Sequence, residues 1–176
     1  MIFHDAVYGG HAESASMLMI REERLKKSFF SFFIHPFAII LYNQTDVTVG
    51  QITPVQRPNN VDVEYGLSVG DTTMDIAVFT ERFREMIRVV SLPDLEYVDG
   101  GGIPVFEGEG SEEFRAPMGI TMYKDPASGV ISAIVGRKNG PTDGTYLWQY
   151  ELTADTTGVV VGTLKRKFGE YSGNGE

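Results

Sequence analysis

Beyond about residue 50, short apolar runs alternate with turn clusters, and apolar positions recur with a period close to two. The runs are VDVEYGLSV, MDIAVF, RVVSL, IPVF, GITMY, VISAIVGR, TYLWQYEL and VVVGTLKRKF. Turn signals such as VGDTT, KDPASG and KNGPTDG separate them. No helix-period segment of useful length follows residue 50, so the pattern predicts an all-β, antiparallel region over residues 51–176. A sandwich, a barrel and a propeller all fit this pattern.

The first fifty residues have a different pattern and form a divergent N-terminal segment. Residues 13–27 (ESASMLMIREERLKK) predict a short helix, with two Glu–Lys pairs at i,i+4. Residues 26–42 (KKSFFSFFIHPFAIILY) place two lysines before an apolar stretch, which is shorter than the roughly 20 residues of a membrane span. The stretch resembles the charged and apolar regions of a signal peptide but lies too far inside the chain and lacks a clear cleavage site. A buried strand pair broken at His35–Pro36, a mis-called start codon and a disturbed reading frame remain open.

Composition narrows the function classes. The chain has 176 residues, 42% of them apolar, which suits one domain with a real core. The net charge of −9 disfavours nucleic acid and anionic membranes as partners. The absence of cysteine excludes disulfides, thiolate zinc sites and cysteine nucleophiles. The three histidines lie in the first fifth of the chain and show no recognised ligand spacing.

The stretch RPNNVDVEYG, residues 57–66, carries the first candidate chemistry. Period two places its valines and tyrosine on one face and Asp62 and Glu64 on the other. Asn60 stands at the strand start, where asparagine often holds a tight turn. Two interpretations stay open: a solvated strand face behind a turn, or a hard-metal site in which Asn60 and Asp62 offer oxygen ligands suited to calcium.

This stretch resembles the β-propeller phytases, together with DIAVFTERF, SLPDLEYVDGGGIPVFEGE, MGITMYKDPASG, AIVGRKNGPTDGTYLWQYEL and KRKFGEYSG. The resemblance covers about Val55 to the C-terminus and is closest to the exported bacterial branch. That family consists of calcium-dependent phosphatases that act on inositol hexakisphosphate (phytate). The resemblance implies a six-bladed propeller of antiparallel four-stranded blades, of which residues 51–176 supply about two to three. It also implies an extracellular or periplasmic location.

The resemblance assigns roles to five residues. Asn60 and Asp62 match calcium-binding positions, and Arg82 matches the arginine that holds phosphate. Lys138 matches a lysine of the corresponding loop, and Arg137 beside it substitutes or assists in binding the substrate. Arg82 and Lys138 are therefore the expected catalytic groups. In the family a metal-activated water attacks phosphorus. Calcium held by carboxylates also explains how an acidic protein grips a polyanion.

Other features have competing interpretations. Met118 stands where the family often has a tyrosine that contacts phosphate. Glu107, Glu109, Glu112 and Glu113 suggest either a second calcium site or, as we expect, an exposed acidic loop. The aromatic stripe of Tyr146, Trp148 and Tyr150 is expected to pack between blades. The glycine run at residues 100–102 is expected to form a turn.

We expect this chain to be the N-terminal fragment of a phytase-like protein that is monomeric at full length and has no membrane span. As a fragment it is expected to expose strand edges and to lack appreciable phosphatase activity. The alternative is a propeller that binds partners or serves as a scaffold, without chemistry of its own.

Overall fold

In a computed structural model, residues 31–35, 38–42, 48–52 and 54–173 can be described. Within these ranges the chain folds into three antiparallel sheets that we name the N-terminal, first and second sheets. The helix predicted over residues 13–27 lies outside the described residues. The described part is thus mostly β, and its antiparallel pairing confirms the sequence pattern, while two of the three sheets have the four strands that the resemblance implies.

The N-terminal sheet has three strands. They are β1 (Ser31–His35), β2 (Ala38–Tyr42) and β3 (Thr48–Ile52). β1 and β2 pair antiparallel, from Ser31 with Tyr42 to His35 with Ala38, so a strand pair, one of the interpretations left open for this stretch, is confirmed. β3 crosses position 50, where the change in sequence pattern placed a boundary.

The first and second sheets are each a four-stranded meander in sequence order. The first sheet contains β4 (Pro58–Val69), β5 (Thr72–Glu81), β6 (Met86–Leu92) and β7 (Ile103–Pro104), with a 3₁₀ turn at Arg82–Arg84. A one-turn helix α1 (Glu112–Arg115) precedes the second sheet. That sheet contains β8 (Pro117–Lys124), β9 (Ile131–Arg137), β10 (Leu147–Ala154) and β11 (Val160–Phe168).

Two hydrophobic clusters hold the sheets together, one on each face of the first sheet. Alternate residues of β5 divide between them, because successive side chains of a strand point to opposite faces. Ala77 and Phe79 pack towards the N-terminal sheet, whereas Ile76 and Val78 pack towards the second sheet. The cluster between the first and second sheets includes Trp148 and Tyr150, so the expectation that these aromatics pack between sheets is confirmed for both. Tyr146 lies outside this cluster and is half-buried.

The first strands of the two four-stranded sheets, β4 and β8, lie side by side, and we call this contact the seam. The Asn59 side chain reaches Met118, whereas Tyr65 further along β4 meets Lys124 further along β8. Later residues of β4 contact later residues of β8, so the two strands run in the same direction. Their hydrogen bonds join residues 59 or 60 positions apart in the sequence.

Both seam strands begin with the same irregularity. In β4 the register shifts between Pro58 and Val61, and in β8 it shifts between Pro117 and Ile120. Such bulges bend a strand and redirect the side chains beside them. The shared position, 59 residues apart, makes the two sheets structural repeats of each other.

The predicted faces of β4 are confirmed. Val61 and Val63 are fully buried against the N-terminal sheet, with Tyr65 packed beside them. Asp62 points the other way, but it meets the second sheet across the seam. Among the helices of the described residues, none has the length and apolar character to cross a membrane.

Candidate functional site

Arg82 follows directly after β5 and lies half-buried at the seam. Its backbone amide donates to the carbonyl of Arg57 at 3.1 Å, which fixes the start of the 3₁₀ turn. Its Nη2 donates to Asn59 Oδ1 at 3.0 Å and to Met118 Sδ. The guanidinium is therefore oriented by one residue from each of the two bulges.

Lys138 occupies the equivalent place in the second sheet, directly after β9. The strand ends pair alike: Glu81 of β5 with Pro58, and Arg137 of β9 with Pro117. The Lys138 amide donates to the carbonyl of Ala116 at 2.9 Å. The two predicted catalytic cations thus stand at repeated positions, at the same end of neighbouring sheets.

One cleft of about 510 Å³, which we call the rim cleft, opens at this end. Its lining consists of Arg82, Phe83, Glu85, Glu112, Glu113 and Ala116. The volume is in the range of ordinary small-molecule sites. Arg82 itself lines the cleft, whereas Lys138 is not among the lining residues and is joined to the cleft wall by its backbone hydrogen bond to Ala116.

Two of the carboxylates of this cleft have hydrogen-bond partners in the protein. Glu85 accepts from Arg115 Nε at 2.8 Å, and this contact raises the pKa of the half-buried arginine. Glu113 accepts from the Asn139 side chain. The expected exposed acidic loop is therefore confirmed for Glu107, Glu112 and Glu113, which are exposed, but not for Glu109, which is half-buried and pairs with Arg137.

Arg137, assigned by resemblance to substrate binding, is fully buried. Its Nη1 pairs with Glu109 Oε2 at 2.9 Å and its Nη2 donates to the carbonyl of Thr145 at 3.0 Å. Its guanidinium also lies over the rings of Phe106 and Trp148, at 4.7 and 5.3 Å. A solvent-borne ligand has no access to this side chain, so Arg137 supports the second sheet from inside.

Asp62, assigned to calcium, uses both carboxylate oxygens in hydrogen bonds. Oδ2 accepts from the Met122 amide at 2.7 Å and from Thr121 Oγ1 at 3.2 Å, while Oδ1 accepts from the Val63 amide at 2.8 Å. The two contacts of Oδ2 join β4 to β8 and give Asp62 a structural role at the seam.

Asn60, the second assigned calcium ligand, lines a separate cleft of about 460 Å³ on the second-sheet side of the seam. Tyr146 and Thr121 also line this cleft. Across residues 31–35, 38–42, 48–52 and 54–173, no three His, Asp or Glu side chains form a group able to hold a metal ion. The assignment of Asn60 and Asp62 to calcium stays a prediction.

No protein-family model and no curated protein matches this chain.

Beneath Arg82 lies a buried ionic network in the first sheet. Arg88 pairs with Asp99 at 2.7 Å and with Glu81 at 3.3 Å, and Tyr97 covers its guanidinium at 4.0 Å. Burial works to lower the pKa of Arg88, but the hydrogen bond and the charge of Asp99 outweigh burial and raise that pKa. The network holds the end of β5 and hence the turn that begins with Arg82.

The sequence analysis missed Asn59 and the contact made by Met118. The doublet Asn59–Asn60 was a signal, but in a regular strand only one of two neighbours faces the seam. The bulge brings both to it, Asn59 against Met118 and Asn60 near Gly119. Met118 cannot donate as a tyrosine would, but its sulfur accepts from Arg82. The glycine run at residues 100–102 forms a turn, as predicted.

Proposed function

We propose that this chain takes part in the calcium-dependent hydrolysis of phosphate monoesters such as inositol hexakisphosphate. In this proposal Arg82 and Lys138 hold phosphate oxygens at the rim cleft. The observation that supports it is the repeated placement of a cation directly after the second strand of each four-stranded sheet. Two cations at one edge suit a substrate with several phosphates.

A propeller architecture is part of the same proposal. Each four-stranded sheet is a meander, as propeller blades are, and the first strands of both run alongside each other in one direction. The two sheets also pack face to face through a shared cluster. The resemblance to exported phytases places the protein outside the cytoplasm in this proposal.

The role of calcium is proposed from the resemblance and from charge. A chain of net charge −9 repels a polyphosphorylated ring unless a bound cation changes the local field. In the part of the chain that the structure describes, no three His, Asp or Glu side chains gather into a metal-binding group. The chemistry assigned to this chain is therefore limited to binding and orienting phosphate.

Calorimetric titration with inositol hexakisphosphate, with and without calcium, tests the proposal. We expect binding that calcium strengthens, and an affinity loss of about ten- to a hundredfold in Arg82→Gln or Lys138→Gln, since each removes a charge-assisted contact. Lys165→Gln, on the distant strand β11, is the matched control and should bind as the unaltered chain does. Binding that neither Arg82→Gln nor Lys138→Gln weakens contradicts the proposal.

A binding module without chemistry is the second candidate. The use of Asp62 in the seam favours it, because that carboxylate supports the fold. The calcium dependence of binding in the titration separates the two, because this chain is expected to lack appreciable phosphatase activity under either. Ligand binding that is indifferent to calcium supports the binding module.

A further inference from the structure

The side chain of Asn59 joins three parts of the molecule. It extends from the bulge of β4, where the register with β5 shifts. Its Oδ1 accepts from Arg82 Nη2 at 3.0 Å, and its Nδ2 donates to the carbonyl of Met118 at 3.2 Å. One planar amide thus contacts both the cation after β5 and the bulge of β8.

The amide of asparagine suits this position because it offers an acceptor and a donor on one short, rigid group. An aspartate would lose the donor to Met118, and a serine would be too short to span both partners. The carbonyl of Met118 also accepts from Thr80 Oγ1 at 3.2 Å, so it is held from two sides. The geometry of the guanidinium is consequently set by the seam.

We propose that Asn59 is the positioning residue for Arg82. It fixes the guanidinium that holds phosphate and makes phosphate affinity depend on the junction of the two sheets. The inference rests on the proposed function of Arg82. It adds a residue to which neither the sequence pattern nor the resemblance assigned a role.

The test measures the dissociation constant for inorganic phosphate, together with the side-chain NMR signals of the arginines. Asn59→Ala should raise the constant about two- to tenfold, as expected for loss of one hydrogen bond. It should also shift the Arg82 signal before phosphate is added. Met118→Leu, which removes the sulfur acceptor but keeps the volume, should shift the same signal and weaken binding less.

Thr80→Val is the matched control. It removes a different hydrogen bond to the same Met118 carbonyl, the one that Thr80 Oγ1 donates, and leaves the Asn59 amide in place. Its phosphate affinity should stay within about twofold of that of the unaltered chain, even though its stability falls. Equal weakening by Thr80→Val and Asn59→Ala would show a purely structural role and overturn the inference.

A double variant separates the inference from the proposed function. In an Arg82→Gln background, Asn59→Ala should have no further effect on phosphate affinity, because the group that it orients is gone. An undiminished effect overturns the positioning role while the function of Arg82 stands. If Arg82→Gln leaves phosphate binding unchanged, both the proposed function and this inference fail.

Discussion

The first and second sheets follow one plan but bury opposite charges at the end of their second strands. In the first sheet the buried residue is Glu81, and Arg88 neutralises it from β6. In the second it is Arg137, which Glu109 neutralises from the loop before α1. The fold therefore accepts either sign at this position, provided that a partner compensates the charge.

The residue that follows each buried charge has the same sign of charge in both sheets. Arg82 and Lys138 are both cations, although the residues before them have opposite charge. Packing explains the buried pair, because each side chain there is fixed by partners inside its own sheet. The two half-buried cations share their sign and their place directly after the second strand of each sheet. This shared placement is why we assign the proposed phosphate contacts to those two positions.

The largest effect should come from breaking the buried network of the first sheet. Arg88→Met leaves Glu81 and Asp99 buried without their cation, so we expect a loss of about 3–5 kcal/mol in the free energy of unfolding. Arg137→Met leaves Glu109, whose side chain is 18% exposed and keeps water contact, and should cost less, about 1–2 kcal/mol. Urea denaturation of both variants measures the difference. Equal losses would contradict the asymmetry between the sheets.

The third strands give the next contrast, since β10 buries a phenol where β6 buries valines. Tyr150 accepts a hydrogen bond from the Phe106 amide at 2.9 Å. Tyr150→Phe removes that acceptor and should cost about 1–3 kcal/mol, because the buried amide is left unpaired. Thermal and urea unfolding at neutral pH measure the loss.

The same residue gives a pH dependence. Burial raises the pKa of Tyr150 above its ordinary value. The neutral phenol is therefore favoured in the folded state, and its contribution is complete below the ordinary tyrosine pKa of about 10 and is lost as the pH rises beyond it. Stability of the unaltered chain should fall above that pH more steeply than that of Tyr150→Phe. An identical fall in stability with pH in both proteins would contradict the assignment of this pH dependence to Tyr150.

The smallest effect should come from the seam. Asp62→Ala removes the acceptor for the Met122 amide and for Thr121, at a partly exposed position, and should cost about 1 kcal/mol. Because this role is structural, the cost should be the same with and without calcium. A loss seen only when calcium is present would instead restore Asp62 to a metal site. Paired denaturation curves decide between these outcomes.

The strands and their faces could be predicted because alternation reports directly on burial. Arg137 shows where that guide stops, because every residue of β9 except Ile134 is buried and either face of the strand would have enclosed the arginine. The resemblance assigned Arg137 to substrate binding, whereas the described side chain is buried and pairs with Glu109.

The seam could not be predicted in the same way. Its geometry depends on two register shifts, and a register shift leaves no periodic signal in the sequence. The roles of Asn59 and Asp62 follow from those shifts and from a neighbour 59 or 60 residues away. Local pattern therefore identified polar residues of β4 but not their partners.

The seam has a mechanical consequence. Within each four-stranded sheet, backbone hydrogen bonds join neighbouring strands along their length, so many bonds share a load. Between β4 and β8 the hydrogen bonds involve side chains and are spaced along the strands. Under tension these contacts would yield in succession. A molecule stretched between the two sheets should therefore separate at this junction, and each meander should stay intact until the force rises further.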